Sequence, residues 1–238
     1  MKIIRFDEIG STNEYAKTLK SLGENFIVVA KKQTGGKGTK GRSFSSNEGG
    51  VYLTKVDFYT DFPAKNAFTI MANTAVAVCE TLKGLGLQPK IKWPNDVFAG
   101  GKKICGILIE NTFSGNKIAS SIVGVGLNVN NPLPQDLQEI ATTMKQQLCK
   151  DLSLASVEET LLRFLCAENT EESYEKHLGW LGENVTLLLG EERISARILG
   201  VDGQGNLRAE TAEGERLFAS AEVSLRIPEN ADKQRRGE

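Results

Sequence analysis

The sequence has few of the residues that build common catalytic and metal sites. It contains one histidine, His177, and no H-E-x-x-H motif, so neither a zinc protease site nor a serine–histidine pair is indicated. The four cysteines are widely spaced, lie in apolar contexts and form no C-x-x-C pair. They are Cys79, Cys105, Cys149 and Cys166. We expect four reduced core thiols, which excludes a disulfide framework and a cysteine-ligated zinc site.

The sequence also lacks an excess of either charge, and it has no long apolar run. Lysine and arginine number 29 against 30 aspartate and glutamate residues, so the net charge of −1 gives no global footprint for nucleic acid. No apolar run approaches the roughly 20 residues of a membrane span. Residues 1–7 resemble a short strand interrupted by charges and not a signal peptide. The sequence predicts a cytoplasmic protein that binds neither nucleic acid nor a membrane.

What the sequence does contain is a loop rich in glycine and cations. Residues 33–44, Q-T-G-G-K-G-T-K-G-R-S-F, follow the apolar run 26–30. Glycine lets a ligand approach the bare main chain, while amide N–H groups and cationic side chains supply positive potential. This composition suits a phosphate, although a flexible basic surface loop has the same composition.

The same loop lies close to the P-loop pattern G-x-x-x-x-G-K-[ST]. Arg42 stands where that pattern needs lysine, and residues 45–50, S-S-N-E-G-G, are a poor start for the helix that must follow. A P-loop is therefore not indicated, whereas a loop that wraps an anionic ligand is.

Polar side chains cluster at the start of the first predicted helix. Ser11 and Glu14 have capping-box spacing, so a helix is expected to begin there and to end at Gly23. Thr12 and Asn13 have no such structural explanation. Short donor and acceptor groups in this position can bind a compact polar ligand.

A second polar stretch, K-W-P-N-D, runs from Lys92 to Asp96 before a predicted hairpin with a Gly-Gly turn. Pro94 fixes its own φ angle and stiffens the turn, so Lys92, Asn95 and Asp96 leave it in defined directions. Lys103 enters the second strand of the hairpin, where it either joins a site with Asp96 or forms a solvated ion pair.

Alternation in residues 123–129 predicts a strand with one nearly bare face. Val123, Val125, Leu127 and Val129 share one face, and the opposite face carries Gly124, Gly126 and Asn128. Glycine weakens a strand unless something approaches its backbone closely. Either a ligand lies across this face, with Asn128 reading its edge, or a helix packs against it.

The overall pattern predicts an α/β (α+β) protein. An apolar repeat at residues 68–82 indicates a long helix, residues 131–180 are helical, and five short strands after Gly182 indicate a small barrel. We expect a catalytic domain at 1–182, a barrel at 183–230 and a polar tail at 231–238.

The candidate site combines cations, glycines and small polar groups with one carboxylate. Such a set suits a reaction between two anions, for example a carboxylate attacking an ATP phosphate, in which the protein positions and neutralises the reactants. Mg²⁺ carries part of the charge in such a reaction, and Asp96 is its candidate ligand. The residues thus indicate a carboxylate-activating ligase of unknown substrate.

These stretches, in this order, resemble the successive motifs of biotin–protein ligases. The matching segments are Ser11–Asn13, Gly36–Arg42, Lys92–Asp96, Lys103–Glu110, Gly124–Asn128 and Glu222–Arg226. The resemblance implies a mixed-sheet catalytic domain followed by an SH3-like barrel, in a short form without an N-terminal DNA-binding domain. It also implies that biotin and MgATP form biotinyl-5′-adenylate, which biotinylates a lysine of a biotin carboxyl carrier protein. Dimerisation through the sheet is common among such ligases, so a homodimer is one expectation, which the sequence alone does not decide.

The resemblance assigns site residues position by position. Those expected to contact biotin are Ser11, Thr12, Asn13, Thr34, Gly38, Thr39, Lys40, Lys103 and Gly124. Those expected to contact ATP are Lys37, Arg42, Lys92, Asn95, Asn128 and Arg226. Lys103, between the biotin carboxylate and the α-phosphate, and Asp96 are the candidate catalytic residues.

The loop departs from the usual G-R-G-R-x-G-R-[SW]-W form. Lys37 and Thr39 replace two arginines, and Phe44 replaces the tryptophan. Lysine lacks the planar bidentate contact of arginine and threonine has no charge, so we expect looser retention of the adenylate. A lipoate–protein ligase of the same fold, or an inactive relative that binds partners through its barrel, are the alternatives.

Overall fold

The computed structural model describes residues 1–167 and 171–227, with the backbone alone at 171 and 172. These residues form two β-sheets. The strands are β1 (Lys2–Ile9), β2 (Phe26–Gln33), β3 (Val51–Phe58), β4 (Lys90–Lys92), β5 (Asp96–Ala99), β6 (Lys102–Ser114), β7 (Lys117–Leu127), β8 (Asn184–Leu189), β9 (Glu192–Val201), β10 (Leu207–Thr211), β11 (Gly214–Phe218) and β12 (Val223–Arg226). The α-helices are α1 (Thr12–Thr18), α2 (Ala67–Gly84), α3 (Met144–Leu148), α4 (Leu154–Leu165) and α5 (Glu171–His177).

The first sheet is mixed and has the strand order β1-β2-β3-β7-β6-β5-β4. Its only parallel pair is β1 with β2, and each remaining neighbour is antiparallel. One face packs against the long helix α2 and against α4, and Val123, Val125 and Leu127 of β7 lie in this core. The predicted alternation is confirmed, although β7 ends at Leu127.

The opposite face carries α1 and the glycine-rich loop. Ala16 of α1 packs into a small second core with Phe26, Val28 and Val56. The Ser11 hydroxyl accepts a hydrogen bond from the Glu14 amide at 3.4 Å, which confirms the predicted N-cap. The α-helix is shorter than expected, because it ends at Thr18 and a 3₁₀ turn follows.

The long helix and the hairpin formed as the sequence indicated. Helix α2 buries the predicted stripe, and the β5–β6 turn has positive φ at both Gly100 and Gly101. Among the cysteines, Cys79 and Cys105 are buried, whereas Cys149 and Cys166 are exposed. The core prediction is wrong for that second pair, since each follows the end of a short surface helix.

The second sheet is antiparallel, with the order β11-β10-β9-β8-β12, and it contains the five predicted strands. The α/β class with a small SH3-like second unit is thereby confirmed. We propose the division at residues 182 and 183 as a domain boundary. The predicted polar tail, 231–238, and residues 228–230 lie outside the described residues. Within the described ranges, no helix is both long and apolar enough to cross a membrane.

Candidate active site

A cavity of about 930 Å³ opens on the sheet face that carries α1. Its walls come from the start of α1, the glycine-rich loop, the turn between β4 and β5, the segment 133–141 and the end of β12. This volume falls within the range of roughly 300–1,000 Å³ that is usual for small-molecule sites. The cavity thus joins most of the stretches singled out in the sequence.

Strand register decides which side chains meet on the cavity floor. One row crosses the sheet through Lys92, Asp96, Gly106, Gly126 and Tyr52. A second row, two residues earlier in β7, passes through Leu108, Gly124 and Thr54. Since partners in neighbouring strands share a face, the carboxylate and the glycines lie on the same side of the sheet.

One end of the cavity is a buried cluster of hydrogen-bonding groups. Gln33 Oε1 accepts from the Thr12 amide at 2.8 Å and from the Thr12 hydroxyl at 3.1 Å. The Thr54 hydroxyl lies 2.8 Å from Thr12 Oγ1 and 2.6 Å from Asn13 Oδ1. The side chains of Thr12, Asn13 and Thr54 are at most 5% exposed, so the cluster is fixed by its surroundings.

The hydroxyl groups of this cluster make more contacts than they have protons to donate. The hydroxyls of Thr12 and Thr54 carry one proton each, and they take part in three side-chain contacts. Because Gln33 Oε1 also accepts from the Thr12 amide, the two protons can shift among the three contacts while each acceptor keeps a donor. A ligand that offers both N–H and C=O groups can exchange hydrogen bonds with such a cluster.

Replacing Thr54 with Val is expected to weaken binding of biotin, the ligand that the resemblance implies, about tenfold, because the isosteric side chain removes the hydroxyl shared by Thr12 and Asn13. Titration calorimetry measures the affinity. Thr74→Val is the matched control, since it removes a buried hydroxyl bond to the Ile70 carbonyl within α2. Equal affinities of the Thr54→Val variant and the parent would contradict this role.

The other end of the cavity is cationic. Lys103 Nζ lies 2.6 Å from Asp96 Oδ1, and these side chains are 30% and 19% exposed. Burial lowers the pKa of Lys92, as do the nearby charges of Arg226, Lys103 and Arg42, while Asp96 opposes the shift. Four cations thus surround one carboxylate, which leaves an excess of positive charge for an anionic ligand.

The ring of Phe44 packs the glycine-rich loop against the strands that form the cavity floor. Gly106 and Gly126 are paired across β6 and β7, and a Cβ atom at either position would lie within 3.1 Å of the Phe44 ring. The Lys103 ammonium lies 5.9 Å from the centre of the same ring. The bare backbone therefore receives a side chain of the loop, which places Phe44 beside the ion pair.

A chain of ion pairs fastens the loop to the start of α1. Lys37 Nζ lies 2.9 Å from Glu14 Oε1, and Lys17 Nζ lies 2.8 Å from both Glu14 and Glu110. Hydrogen bonds from Lys17 and then Lys37 lower the pKa of Glu14. Glu110 reaches Asn13 Nδ2 at 3.5 Å, so the chain ends at the polar cluster.

The structure brings most predicted residues to the cavity. Its lining includes Ser11, Thr12, Asn13, Lys37, Gly38, Thr39, Arg42, Lys92, Asn95, Asp96, Lys103, Gly124, Asn128 and Arg226. Thr34 and Lys40 are exposed and lie outside the set that lines the cavity, so their contacts with biotin stay predictions. Gln33, the neighbour of Thr34, lines the cavity and accepts from Thr12, and Lys40 lies at the tip of a 3₁₀ turn with φ 56°.

Several predicted contact residues already have partners within the protein. Arg42 donates to the Thr39 carbonyl and hydroxyl at 3.2 and 3.0 Å, so it holds the loop turn. Asn95 donates to the Ile107 carbonyl at 2.8 Å. Asn128 donates to the Thr142 carbonyl and accepts from Asn131, both at 3.1 Å. Their roles toward ATP stay predictions.

Gln33, Thr54 and Phe44 belong to the site but were not assigned from the sequence. Gln33 ends β2, immediately before Thr34, and a strand end is where side-chain direction is hardest to assign. Thr54 looks like an ordinary strand residue, and only its register opposite Gly124 marks it. Phe44 was noted only as a departure from the family pattern.

The comparisons with known proteins agree with this geometry. The model of the Biotin/lipoate A/B protein ligase family matches residues 6–128, and that of the Biotin protein ligase C terminal domain matches residues 180–226. The chain is 33% identical over 242 residues to the bifunctional ligase/repressor BirA of Bacillus subtilis, covering 94% of this chain and 74% of that protein. It is 35% identical over 124 residues to a biotin–[acetyl-CoA-carboxylase] ligase of Paracoccus denitrificans, covering 50% of this chain and 51% of that protein.

Among solved structures, the biotin protein ligase of Aquifex aeolicus in complex with biotin and ATP has a TM-score of 0.80 and 31% sequence identity. The match covers 95% of this chain and 99% of that one. Family models, relatives and fold agree over nearly the whole chain, which therefore belongs to the biotin/lipoate A/B protein ligase family, on its biotin protein ligase branch.

Proposed function

We infer that the chain activates biotin with ATP as biotinyl-5′-adenylate and transfers the biotinyl group to a lysine of a biotin carboxyl carrier protein. The observation that carries this is the spacing of the two ends of the cavity. Thr54 and Asp96 lie on strands three places apart, which corresponds to about 14 Å across the sheet. An elongated ligand with a polar ring at one end and a carboxylate at the other suits this spacing.

In the first step, a biotin carboxylate oxygen attacks the α-phosphorus of ATP and the bond to pyrophosphate breaks. We propose that Lys103 moves from Asp96 to the two approaching anions and reduces their repulsion. Lys92, Arg42 and Arg226 hold the phosphates from the surrounding walls. The polar cluster at Thr12, Asn13 and Thr54 holds the ureido ring.

In the second step, the amine of the acceptor lysine attacks the mixed anhydride, and AMP leaves with the phosphate oxygen. The protein's contribution is retention of the adenylate beneath the loop that Phe44 and Lys37 fasten. Thr39, which replaces an arginine of the family pattern, accepts a hydrogen bond from Arg42 within the loop.

We propose that Mg²⁺ enters with ATP. Across residues 1–167 and 171–227, no group of three or more histidine, cysteine, aspartate or glutamate side chains is placed to hold a metal ion. Asp96 fits a partner role, with phosphate oxygens as further ligands. Pyrophosphate release is expected to stop in EDTA and to return with added Mg²⁺; undiminished release in EDTA would contradict this.

The lipoate alternative is not favoured by the comparisons or by the polar cluster. The ring of lipoate is a dithiolane without N–H or C=O groups, so it cannot exchange hydrogen bonds with Thr12, Asn13 and Thr54. On the near-neutral charge and the family resemblance, we also propose a cytoplasmic homodimer without a nucleic-acid partner; sedimentation with and without DNA tests the last two points.

Mass spectrometry of the protein incubated with biotin and MgATP tests the function. We expect bound biotinyl-adenylate, and labelled carrier protein once the acceptor is added. A competition between biotin and lipoate for labelling distinguishes the two ligase types. Absence of both adenylate and labelling would favour an inactive relative.

A further inference from the structure

The peptide between Trp93 and Pro94 is held from outside the first sheet. It joins Lys92, which meets the phosphate end of the cavity, to Asn95 and Asp96 on the other side of the turn. Strand β4 has only three residues and lies at the edge of the sheet, paired with β5 on one side and bridged on the other at Ile91, whose carbonyl accepts from the Gly179 amide at 2.9 Å. So short an edge strand defines the direction of Lys92 poorly by itself.

The first outside contact comes from the second sheet. Trp93 is 3% exposed, and its indole N–H donates to the Gly205 carbonyl at 2.9 Å. The loop around Gly205 is rigid, because Asp202 Oδ1 accepts from the amides of Gln204 and Asn206, both at 2.9 Å. The carbonyl therefore has a fixed position in space.

The second outside contact comes from α5. The Tyr174 hydroxyl donates to the Pro94 carbonyl at 3.0 Å, and the side chain is fully buried. Burial raises the pKa of Tyr174, so the hydroxyl keeps its proton and remains a donor. Phe68 connects the two contacts, since its ring packs edge-on against Tyr174 at 5.1 Å and also covers Gly205.

We propose that the Gly205 carbonyl and the Tyr174 hydroxyl are positioning groups for adenylate formation: they fix the turn that presents Lys92 and Asp96 to ATP. The second sheet then makes two contributions to the reaction: the Gly205 carbonyl positions the turn, and the last strand places Arg226 in the cavity wall. This role rests on the function proposed above. The polar cluster at the other end of the cavity is built on α1, β2 and β3, which these contacts do not touch.

Trp93→Phe and Tyr174→Phe test the proposal, since each keeps an aromatic ring and loses one donor. Each variant is expected to raise the KM for ATP about tenfold in biotin-dependent ATP–pyrophosphate exchange, because the phosphate-binding side chains lose their fixed direction. The Kd for biotin alone, measured by calorimetry, is expected to stay within about twofold of the parent. Thr81→Val is the control, as it removes a buried hydroxyl bond to the Ala77 carbonyl at 2.8 Å within α2.

Two results would overturn the positioning role. One is an unchanged KM for ATP in both variants, and the other is a parallel loss of biotin and ATP binding, which would indicate general destabilisation. An inactive parent protein would instead contradict the proposed function. Thermal unfolding of all three variants and the parent confirms that each is folded at the assay temperature.

Discussion

Lys103→Met is expected to lower the rate of biotinyl-adenylate formation about 10³-fold, the effect of removing a preorganised charge from a reacting centre. Lys103 is the cation that register and the Phe44 ring place at the centre of the floor, between the polar cluster and the other cations. The variant keeps the length of the side chain and its packing. Release of pyrophosphate under single-turnover conditions measures the rate.

Lys117→Met provides the control for the loss of an ion-paired lysine. Lys117 pairs with Asp61 at 3.0 Å on the same sheet, but both side chains are at least half exposed, so little stability depends on the pair. We expect activity close to that of the parent. A Lys103→Met enzyme with the same activity as this control would remove Lys103 from catalysis.

Gly124→Ala is expected to weaken biotin binding about 10²-fold. A Cβ atom there would overlap Asn13 Oδ1 and lie 3.0 Å from Asn13 Cγ. Because β7 is paired on both sides, with Thr54 and Leu108 opposite Gly124, the backbone cannot move away. Asn13 must then leave the Thr54 hydroxyl, which costs the buried cluster its hydrogen bonds.

Gly84→Ala is the matched control for this glycine. It ends α2, is exposed, and has open space around the added methyl group. We expect unchanged biotin affinity and a gain in stability of about 0.5–1 kcal/mol, because alanine is the better helix former. Calorimetry of both variants measures the affinities, and full biotin binding by Gly124→Ala would show that Asn13 is not held in this way.

Local patterns in the sequence predicted the elements that depend on local chemistry. Ser11 caps its helix, α2 buries its apolar stripe, and the Gly100-Gly101 turn joins β5 to β6. The alternation around Gly124 also placed the bare face of β7 correctly. Each of these depends on residues a few positions apart, so spacing alone carries the information.

Contacts between distant segments could not be predicted in the same way. The sequence indicated a ligand or a helix over the glycines of β7, and the structure places Asn13 over Gly124 and Phe44 over Gly126. The importance of Thr54 depends on its strand partner, and the choice of Gln33 over Thr34 depends on where β2 ends. Such features follow from register and packing, which short patterns do not encode.

The Asp96–Lys103 pair also bears on how the first step of the reaction ends. In the resting enzyme the ammonium has an internal counter-ion 2.6 Å away, so each external anion competes with a tethered carboxylate for it. Once pyrophosphate has been formed, re-pairing with Asp96 offsets part of the energy needed to release the leaving group. Weak product inhibition by pyrophosphate is the kinetic signature of such a built-in competitor.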